Sequence, residues 1–360
     1  MKITEIMLSA GWGGAERLFV ELCAGLAAAG HELQVICRPS FARGAVLQGQ
    51  EGITFVTIPA RGKWDLLSLW QMKRKIALFR PDIIHAHLVR GTWMAGHIGR
   101  SLRIPTVTTT HNQIKAKNFN KIDYFTTITR SLGAYLQQQG IDPGRIRTIP
   151  NFSLFAPVVA PAPRREGQLP VFISLGRFVA KKGYRTLIEA FAQVVAQNGP
   201  ARLLIAGSGP QAEMLQSLAN ALGLTGQVEF LGWVDDTEEL FARGDIFVLP
   251  SLDEPFGIVL LEAMAQGKAI VTTRTGGPLD LLDDSLAFFV DPGDVDDLAR
   301  GMAAALHDPQ GCMERAQKSL DLYREKYTRD AVLPRFIDFF TTIVVGKEEK
   351  VASDPVVKRL

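Results

Sequence analysis

Two glutamates lie in the segment whose residue pattern points most directly to chemistry. This segment, Pro250–Met264, joins an apolar run to an amphipathic helical pattern and carries Glu254 and Glu262. On one helix the two positions would be about 12 Å apart along the axis, at a rise of about 1.5 Å per residue. That exceeds the roughly 5–9.5 Å between the paired carboxyl groups of glycoside hydrolases. We therefore expect the carboxylates to accept hydroxyl hydrogen bonds at separate places on an extended ligand, such as the sugar and the ribose of a sugar nucleotide.

The turn between these glutamates has the composition of an anion-binding helix start. Phe256-Gly257-Ile258 opens the helical pattern, and backbone N–H groups at a helix start favour a diphosphate or a sugar. An ordinary helix start with exposed acids is the alternative. It accounts for either glutamate alone, but not for the Pro255 and Gly257 that shape the turn directly after Glu254.

A second loop combines cations with glycines. Ser174–Gly183 follows an apolar run and contains Arg177 and Lys182. Arginine offers a planar fork and lysine a point charge to phosphate oxygens, so this pair suits a diphosphate. Solvated basic side chains on an ordinary loop are the alternative for this segment taken alone.

A third loop, Ala10–Glu16, contains Gly13 and Gly14 between the first apolar run and the first helical pattern. Glycines there let the backbone approach a ligand closely. As a dinucleotide fingerprint the loop has Glu16 where Gly or Ala is required, and Arg38 rather than an acid follows the second strand. An NADP-binding turn that uses Arg38 and a plain turn without a ligand are the alternatives.

Three histidines and one acidic pair are further candidates, and two of these sets, His85 with His87 and Asp294 with Asp296, have the residue types of metal ligands. His111 follows the run Thr108–Thr110 at a strand end, where a lone histidine is usually an ordinary polar loop residue. His85 and His87 have no third ligand nearby in the sequence, which favours packing at a strand end over ligation. Asp294-Val-Asp296 begins a helical pattern and is interpreted as a helix cap. We therefore predict no metal site.

Apolar runs that alternate with amphipathic helical patterns predict an α/β fold with two doubly wound parallel sheets. The proline-rich segment 156–170 predicts a linker between a first domain at 1–155 and a second at 171–329, followed by a helix at 330–345 and a frayed tail at 346–360. Ligands of open parallel sheets bind beyond the carboxyl ends of the strands, where all three loops lie. The predicted strands are Ile3–Ser9, Leu33–Cys37, Thr54–Ile58, Ile83–His87, Thr106–Thr110, Tyr124–Thr127, Val171–Leu175, Arg202–Ala206, Val228–Phe230, Ile246–Pro250 and Ala269–Thr272.

The composition is that of an ordinary globular protein. The chain has 360 residues, 47% hydrophobic and 21% charged, and it lacks the run of about 20 apolar residues that a membrane-spanning helix needs. Its start has no signal-peptide pattern, and Cys23, Cys37 and Cys312 include no CxxC pair. We therefore expect a cytoplasmic protein.

The net charge of +3 is unevenly divided along the chain. Residues 1–155 carry 19 Lys and Arg against 9 Asp and Glu, a net of +10, and residues 156–360 carry a net of −7. Such asymmetry indicates a polyanionic partner. Nucleic acid is not expected, since the basic residues show no binding motif with interleaved aromatic residues. The segment Trp64–Phe79 combines apolar residues with Lys73-Arg74-Lys75, which fits either an interfacial helix on an anionic membrane or a sheet-covering helix with a basic solvent face.

Together these motifs resemble family 4 of the retaining GT-B glycosyltransferases. The matching segments follow in the family's order over nearly the whole chain: Gly13–Glu16, Gly176–Gly183, Ala206–Pro210, Phe230–Val234 and Glu254–Gly267. The resemblance implies two Rossmann-like domains that face each other across a cleft. The sequence departs from the family at Asp280, where Glu is usual, and at Ser285–Val290, which lacks the usual glycine.

The resemblance also implies how the donor is bound. In the second domain, Glu262 would hold the ribose hydroxyls, and Arg177 and Lys182 would neutralise the diphosphate leaving group. Glu254 would meet the sugar hydroxyls, next to the backbone of Phe256–Ile258. In the first domain, the candidates are Gly13 and Gly14 for the diphosphate or sugar and His111 beside the donor sugar. By their charge and their place in the loop after His111, Lys115, Lys117 and Lys121 are candidates for an anionic acceptor.

The resulting prediction is a hexosyltransferase that moves a sugar, with retention, from a nucleotide sugar to an anionic glycan or lipid-linked acceptor. A UDP-sugar is the favoured donor, and the process is surface polysaccharide or lipopolysaccharide synthesis. We expect neither a cofactor nor a metal, and peripheral contact with the cytoplasmic face of the inner membrane. The alternatives are an NADP-dependent oxidoreductase and a catalytically silent nucleotide-sugar-binding subunit.

Overall fold

The computed structural model of the chain describes residues 1–11, 13–62, 65–115, 119–164 and 167–353, with the backbone alone at 42 and 348–353. The chain divides into two compact units. Unit 1 consists of Met1–Phe152 together with the chain from Arg329 onward, and unit 2 consists of Ser153–Thr328.

Unit 1 is built on a parallel sheet that has seven strands among the described residues, in the order β3-β2-β1-β4-β5-β6-β7. Both faces are covered, which explains why the central strands are continuously buried rather than alternating. The winding reverses between β1 and β4, which pair in register from Ile3 with Ile83 to Met7 with His87. The strands are β1 (Lys2–Met7), β2 (Glu32–Cys37), β3 (Ile53–Thr57), β4 (Ile83–His87), β5 (Thr106–Thr110), β6 (Tyr124–Thr127) and β7 (Ile146–Thr148).

Helices cover the two faces of this sheet. They are α1 (Gly14–Ala28), α2 (Leu66–Phe79), α3 (Leu88–Leu102), α4 (Arg130–Gln138) and the last helix of the chain, α12 (Arg329–Ser353). On one face, α12 packs against α1 so closely that a Cβ at Gly25 would lie 3.1 Å from Leu333 Cδ2. The core on that face includes Phe19, Phe336 and Phe340.

Unit 2 has a parallel sheet with six strands among its described residues, in the order β10-β9-β8-β11-β12-β13. Its winding reverses between β8 and β11, where Phe247 pairs with Ile173. The core lies between this sheet and helices such as α5 and α10, and includes Phe172, Leu187 and Met302. The strands are β8 (Val171–Leu175), β9 (Arg202–Ala206), β10 (Val228–Gly232), β11 (Ile246–Leu249), β12 (Ala269–Thr273) and β13 (Phe288–Val290). The helices are α5 (Tyr184–Asn198), α6 (Ala212–Ala221), α7 (Thr237–Ala242), α8 (Ile258–Ala265), α9 (Gly276–Leu281), α10 (Val295–His307) and α11 (Pro309–Lys326).

The predicted fold class, two doubly wound parallel sheets, is confirmed. Every predicted strand is present, whereas β7 and β13 were missed because runs of three residues carry too little periodicity to be recognised. Along the chain, unit 1 ends at Phe152 and unit 2 begins at Ser153, so the segment predicted as a linker, 156–170, belongs to unit 2. The last helix continues to Ser353, eight residues into the stretch predicted as a frayed tail, and 354–360 lie outside the described residues.

Candidate active site

The two loops predicted to bind a diphosphate follow β8 and β11, the strands that flank the reversal of winding in unit 2. Crevices at such reversals are where open α/β sheets bind ligands. The loops contact each other directly, since Leu252 N–H donates to Lys181 O at 2.8 Å. Gly183, at φ +68°, lies so close to Pro250 O that a side chain there would collide with it. Residues some 70 positions apart in the sequence are thereby brought to one place.

Lys182 and Glu254 form an ion pair at this place. Lys182 Nζ lies 2.5 Å from Glu254 Oε2, and the side chains are 18% and 7% exposed. Ser251 Oγ donates to the same oxygen at 3.2 Å. The pair therefore presents a cation and a carboxylate, each oriented by the other, to any ligand that reaches the loops.

The Phe256–Ile258 turn takes the form expected of a helix start. Gly257, at φ +88°, precedes α8, and no side chain caps the first turn of this helix. Phe256 is buried, and a Cβ at Gly277 would lie 2.5 Å from three of its backbone atoms. Gly277 N–H in turn donates to Glu254 O at 2.8 Å. The close approach to Phe256 explains why glycine is needed at 277, and the hydrogen bond to Glu254 shows how α9 supports the turn.

Glu254 and Glu262 do not share a helix. Glu254 lies in the loop after β11, whereas Glu262 is within α8 and 2% exposed. The separation of about 12 Å expected for one helix does not apply, although both residues remain on the same short segment. Pro255 and Gly257 interrupt the helical pattern directly after Glu254, so the helix begins only at Ile258.

Arg177 lies in the loop after β8 and is exposed. Its neighbours hold the loop against the one after β9, since Phe178 N–H donates to Ser208 O at 2.8 Å. Gly207 and Gly209 have positive φ, and side chains at either position would collide with the backbone of Gly176 or Phe178. Glycine at 207 and 209 therefore allows the loop after β9 to pack closely against the backbone of the loop that contains Arg177.

Tyr184 is a residue of this region that the sequence analysis missed. It is buried at the start of α5, and its hydroxyl would lie 2.9 Å from a Cβ at Gly176. Burial raises the pKa of Tyr184, and the negative charge of Glu254 raises it further. A polar residue directly after Gly183, at the start of a helix, was the available signal.

In unit 1, Gly13 and Gly14 lie at the start of α1, after β1. Gly13 is the residue before the helix, and no side chain caps it. Glu16 accepts a hydrogen bond from Ser9 Oγ at 2.6 Å, and Gly11 N–H donates to Ser9 Oγ at 3.1 Å. These contacts position the backbone of the loop, whose Trp12 lies outside the described residues.

His111 directly follows β5 and is 6% exposed. Its Nε2 lies 3.2 Å from His87 Nδ1, and both histidines have pKa values lowered by burial to about 3. They are therefore neutral at physiological pH. The structure places His111 at the carboxyl edge of the sheet, the same edge as the loop of Gly13 and Gly14.

A buried carboxyl group accompanies His85 and His87. Glu5, on β1, lies 3.0 Å from His85 Nδ1 and 3.4 Å from His87 Nε2. All three side chains are fully buried, and burial raises the pKa of Glu5. No third ligand-type residue lies near these histidines in the sequence, but Glu5 joins them in space because β1 pairs with β4 across 80 positions. An acid between Ile3 and Ile6 in an apolar strand was the signal that was missed.

The remaining candidates are distributed as follows. Lys115 is exposed, Lys121 is half-buried beside Gly96, and Lys117 lies outside the described residues. Asp294 caps α10 by accepting a hydrogen bond from Asp297 N–H at 2.9 Å, in agreement with the cap interpretation. Arg38, which the NADP alternative requires, donates to Pro59 O at 3.1 Å.

Two family models match the chain, one for each unit. The model described as Glycosyltransferase Family 4 matches residues 12–152, and the model described as Glycosyl transferases group 1 matches residues 160–321. The chain belongs to glycosyltransferase family 4. The oxidoreductase alternative, which rested on the first glycine loop, is set aside by this assignment.

Curated relatives are similar to this family 4 glycosyltransferase over nearly its full length. Two are the lipopolysaccharide core biosynthesis glycosyltransferases LpsE and LpsD of Rhizobium meliloti (strain 1021), each 29% identical over 334 residues. The alignments cover 92% of this chain and 96% of LpsE, and 91% of this chain and 95% of LpsD.

Solved structures share its fold. HepE of Anabaena in complex with UDP is 20% identical, with a TM-score of 0.82 over 95% of this chain and 100% of that one. The lipopolysaccharide outer core galactosyltransferase WaaB, in its apo form, is 20% identical, with a TM-score of 0.79 over 96% and 100% of the two chains. The fold of the glycosyltransferase is therefore that of the GT-B class.

Proposed function

We propose that this glycosyltransferase moves a hexosyl group, with retention, from a UDP-sugar to an anionic glycan or lipid-linked acceptor in lipopolysaccharide or surface polysaccharide synthesis. The observation that carries the proposal is the Lys182–Glu254 pair at the reversal of winding in unit 2, beside the uncapped start of α8. The UDP complex of HepE supports the choice of donor, and the names of LpsE, LpsD and WaaB support the choice of pathway.

The chemistry of the donor site is electrostatic. Lys182, the exposed Arg177 and the N–H groups at the start of α8 place positive potential where a departing diphosphate develops negative charge. When a donor binds, phosphate oxygens replace or share the carboxylate as the partner of Lys182, and Glu254 becomes available to a sugar hydroxyl. No metal is required in this scheme, because protein groups supply the positive charge.

The acceptor proposal includes contact with an anionic membrane through α2. Only Ser68, Met72 and Ile76 of this helix are buried, while Leu66, Leu67, Trp70 and Leu78 are 57–72% exposed. Lys73, Arg74 and Lys75 are exposed on the same helix, and Arg74 lies 5.9 Å from the centroid of the Trp70 ring. Apolar and basic side chains exposed together are the composition of an interfacial helix. No helix among the described residues is long and apolar enough to cross a membrane.

The donor proposal is tested by incubating the protein with a panel of UDP-, GDP- and ADP-sugars and a lipopolysaccharide core acceptor. We expect nucleoside diphosphate release that depends on the acceptor, is strongest with one UDP-sugar, and yields a product with the donor's anomeric configuration by NMR. An inverted product would refute the retaining assignment, and release only from another nucleotide would refute the UDP assignment.

The membrane proposal is tested by sedimentation with vesicles of neutral lipid, with and without anionic lipid. We expect binding only to the anionic vesicles, weakened by salt, by Trp70→Ala and by a triple replacement of Lys73, Arg74 and Lys75 with Gln. Trp233→Ala, which removes an exposed tryptophan of unit 2, is the matched control. Equal binding by all variants, or none by the wild type, would refute the membrane contact.

A further inference from the structure

A continuous row of polar side chains runs through the apolar interior of unit 1 and ends at His111. Five contacts link six residues on β1, β4, β5 and β6 and at the end of β5. In order, they are Thr126 Oγ1 to Thr109 Oγ1 at 2.6 Å, Thr109 Oγ1 to His85 Nε2 at 2.7 Å, His85 Nδ1 to Glu5 Oε1 at 3.0 Å, Glu5 Oε2 to His87 Nε2 at 3.4 Å, and His87 Nδ1 to His111 Nε2 at 3.2 Å.

This row is enclosed by aromatic side chains. The ring of His85 lies 5.2 Å from that of Phe340 on α12, and the ring of His87 lies 5.2 Å from that of Phe19 on α1. Five members of the row are fully buried, and only His111 reaches the edge of the sheet. Buried polar atoms in such surroundings must find partners within the protein.

Glu5 is the partner that His87 Nε2 requires. This nitrogen is buried and makes no hydrogen bond of ordinary geometry within the described part of the chain. Its near neighbour is Glu5 Oε2, slightly beyond the usual hydrogen-bond distance. The ion pairs found for Glu5 among the described residues involve only His85 and His87.

Three arrangements of protons give each contact in the row one hydrogen. In the first, Glu5 is ionised and accepts N–H groups from both histidines, so that His111 carries its proton on Nε2. In the second, Glu5 is protonated and donates to His87 Nε2, His87 Nδ1–H donates to His111 Nε2, and His111 carries its proton on Nδ1. The third reverses every donor of the second, so that His111 carries its proton on Nε2. The first arrangement leaves a net charge in the interior without a lysine or arginine partner. The third is neutral but leaves the buried Thr126 hydroxyl without an acceptor, because Thr109 Oγ1 is the one side-chain partner of Thr126 Oγ1 among the described residues. The second is neutral and gives every donor an acceptor.

We propose that Glu5 and His87 are positioning residues, which hold His111 in the tautomer that presents Nδ1–H at the carboxyl edge of the sheet. All donors in the row then point the same way, from Thr126 toward His111. The inference deepens the proposed function and rests on it, since the resemblance to family 4 implies that His111 lies beside the donor sugar, where an N–H group donates to a hydroxyl or phosphate oxygen. The buried carboxyl group of Glu5 thereby determines that His111 has a hydrogen-bond donor, Nδ1–H, at the edge of the sheet.

The test is histidine ¹⁵N NMR on the full chain without ligands, where the protonated and unprotonated ring nitrogens have different chemical shifts. His111 is assigned by comparison with His111→Gln. In the wild type we expect His111 protonated on Nδ1 and unprotonated on Nε2. The Nε2–H tautomer in the wild type would overturn the proposal.

Two variants of Glu5 separate hydrogen bonding from packing. Glu5→Gln retains an acceptor for His85 and a donor for His87, so we expect an unchanged His111 spectrum. Glu5→Met keeps the volume but removes both, and we expect a mixture of His111 tautomers. Thr4→Val is the matched control, because Thr4 lies on the same strand and donates to Gln34 instead. A His111 spectrum that changes in Glu5→Gln, or stays unchanged in a folded Glu5→Met, would overturn the proposal.

Metal analysis and kinetics complete the test. Stoichiometric metal in the purified protein would assign Glu5, His85 and His87 to ligation and overturn the proposal. Glu5→Met should lower kcat/KM for the donor about tenfold, the loss of about 1.4 kcal/mol or one hydrogen bond, while Glu5→Gln retains the wild-type value. The NMR result needs no substrate, so its failure is distinguishable from failure of the proposed transfer, which would leave the tautomers as expected.

Discussion

Lys182 Nζ lies 2.5 Å from Glu254 Oε2, although the residues are 72 positions apart in the sequence. The pair is largely withdrawn from solvent, and each charge is compensated chiefly by the other. In the free protein it stabilises the two loops, and in the proposed reaction both members turn to the donor. Stability and activity should therefore respond differently when the pair is altered.

Removing either member of this pair should abolish most of the transfer activity. We expect Lys182→Met and Glu254→Gln each to lower kcat by roughly 10²–10³, the usual effect of losing one group that stabilises developing charge. Lys182→Met should also destabilise unit 2 by about 1–3 kcal/mol, because it leaves a buried carboxylate unpaired. Urea unfolding and nucleoside diphosphate release measure the two effects.

The double variant Lys182→Met with Glu254→Gln is the control for this prediction. It removes both charges, so it should recover part of the stability lost in Lys182→Met but none of the activity. Recovered activity, or full activity in either single variant, would contradict the assigned roles.

Gly277→Ala should displace the loop after β11, which contains Glu254 and Phe256. The added Cβ would lie 2.5 Å from backbone atoms of Phe256, so the turn that carries Glu254 must move. We expect a loss of about 1–3 kcal/mol of stability from overpacking and a raised KM for the donor. Gly346→Ala is the control, since its Cβ meets open space within α12 and should leave stability equal or higher by up to ~1 kcal/mol. The KM for the donor and the thermal unfolding temperature are measured for both variants. Equal values in the two variants would disprove the close contact between Gly277 and Phe256.

Acidification should destabilise unit 1. Burial lowers the pKa of His85, His87 and His111 to about 3, so below about pH 6.5 the unfolded chain binds more protons than the folded one. Stability present above pH 6.5 is then lost as the pH falls toward 3, by up to about 1.4 kcal/mol per pH unit for each histidine. Glu5, whose pKa is raised by burial, contributes in the opposite sense, losing stability as the pH rises above 4.5, and offsets part of the loss.

Amide hydrogen exchange, corrected for its intrinsic pH dependence, measures this effect by segment. Peptides from β1 and β4 should lose protection between pH 7 and pH 5, and peptides from β8 and β11 serve as the internal reference. His87→Gln should show a shallower loss than the wild type. Parallel losses in both units, or an unchanged slope in the variant, would argue against the histidines.

Asp294 should matter for stability and not for transfer. Its carboxylate caps α10, so Asp294→Ala should cost about 1 kcal/mol, and transfer at saturating donor should be unchanged. EDTA should likewise leave transfer unchanged, because Arg177, Lys182 and the α8 N–H groups supply the positive charge. Loss of activity in either case, restored by a divalent cation, would require a metal in the mechanism.

Local patterns in the sequence determined a large part of this protein. Apolar runs with helical patterns between them predicted every strand except β7 and β13, and glycine and proline placed the loops, because periodicity and turn chemistry act over a few residues. Arg177, Lys182, Glu254 and Glu262 were found in the same way. Their general chemistry followed from residue type and spacing, whereas the part of the donor assigned to each residue came from the resemblance to a family.

Contacts between distant segments were decided only by the tertiary structure. The sequence does not encode locally that β1 pairs with β4, so Glu5 was not associated with His85 and His87. The Lys182–Glu254 pair likewise depends on β8 lying beside β11. The order of strands in a sheet is set by the burial of the whole core, and this global condition brings residues 72 or 80 positions apart within hydrogen-bond reach.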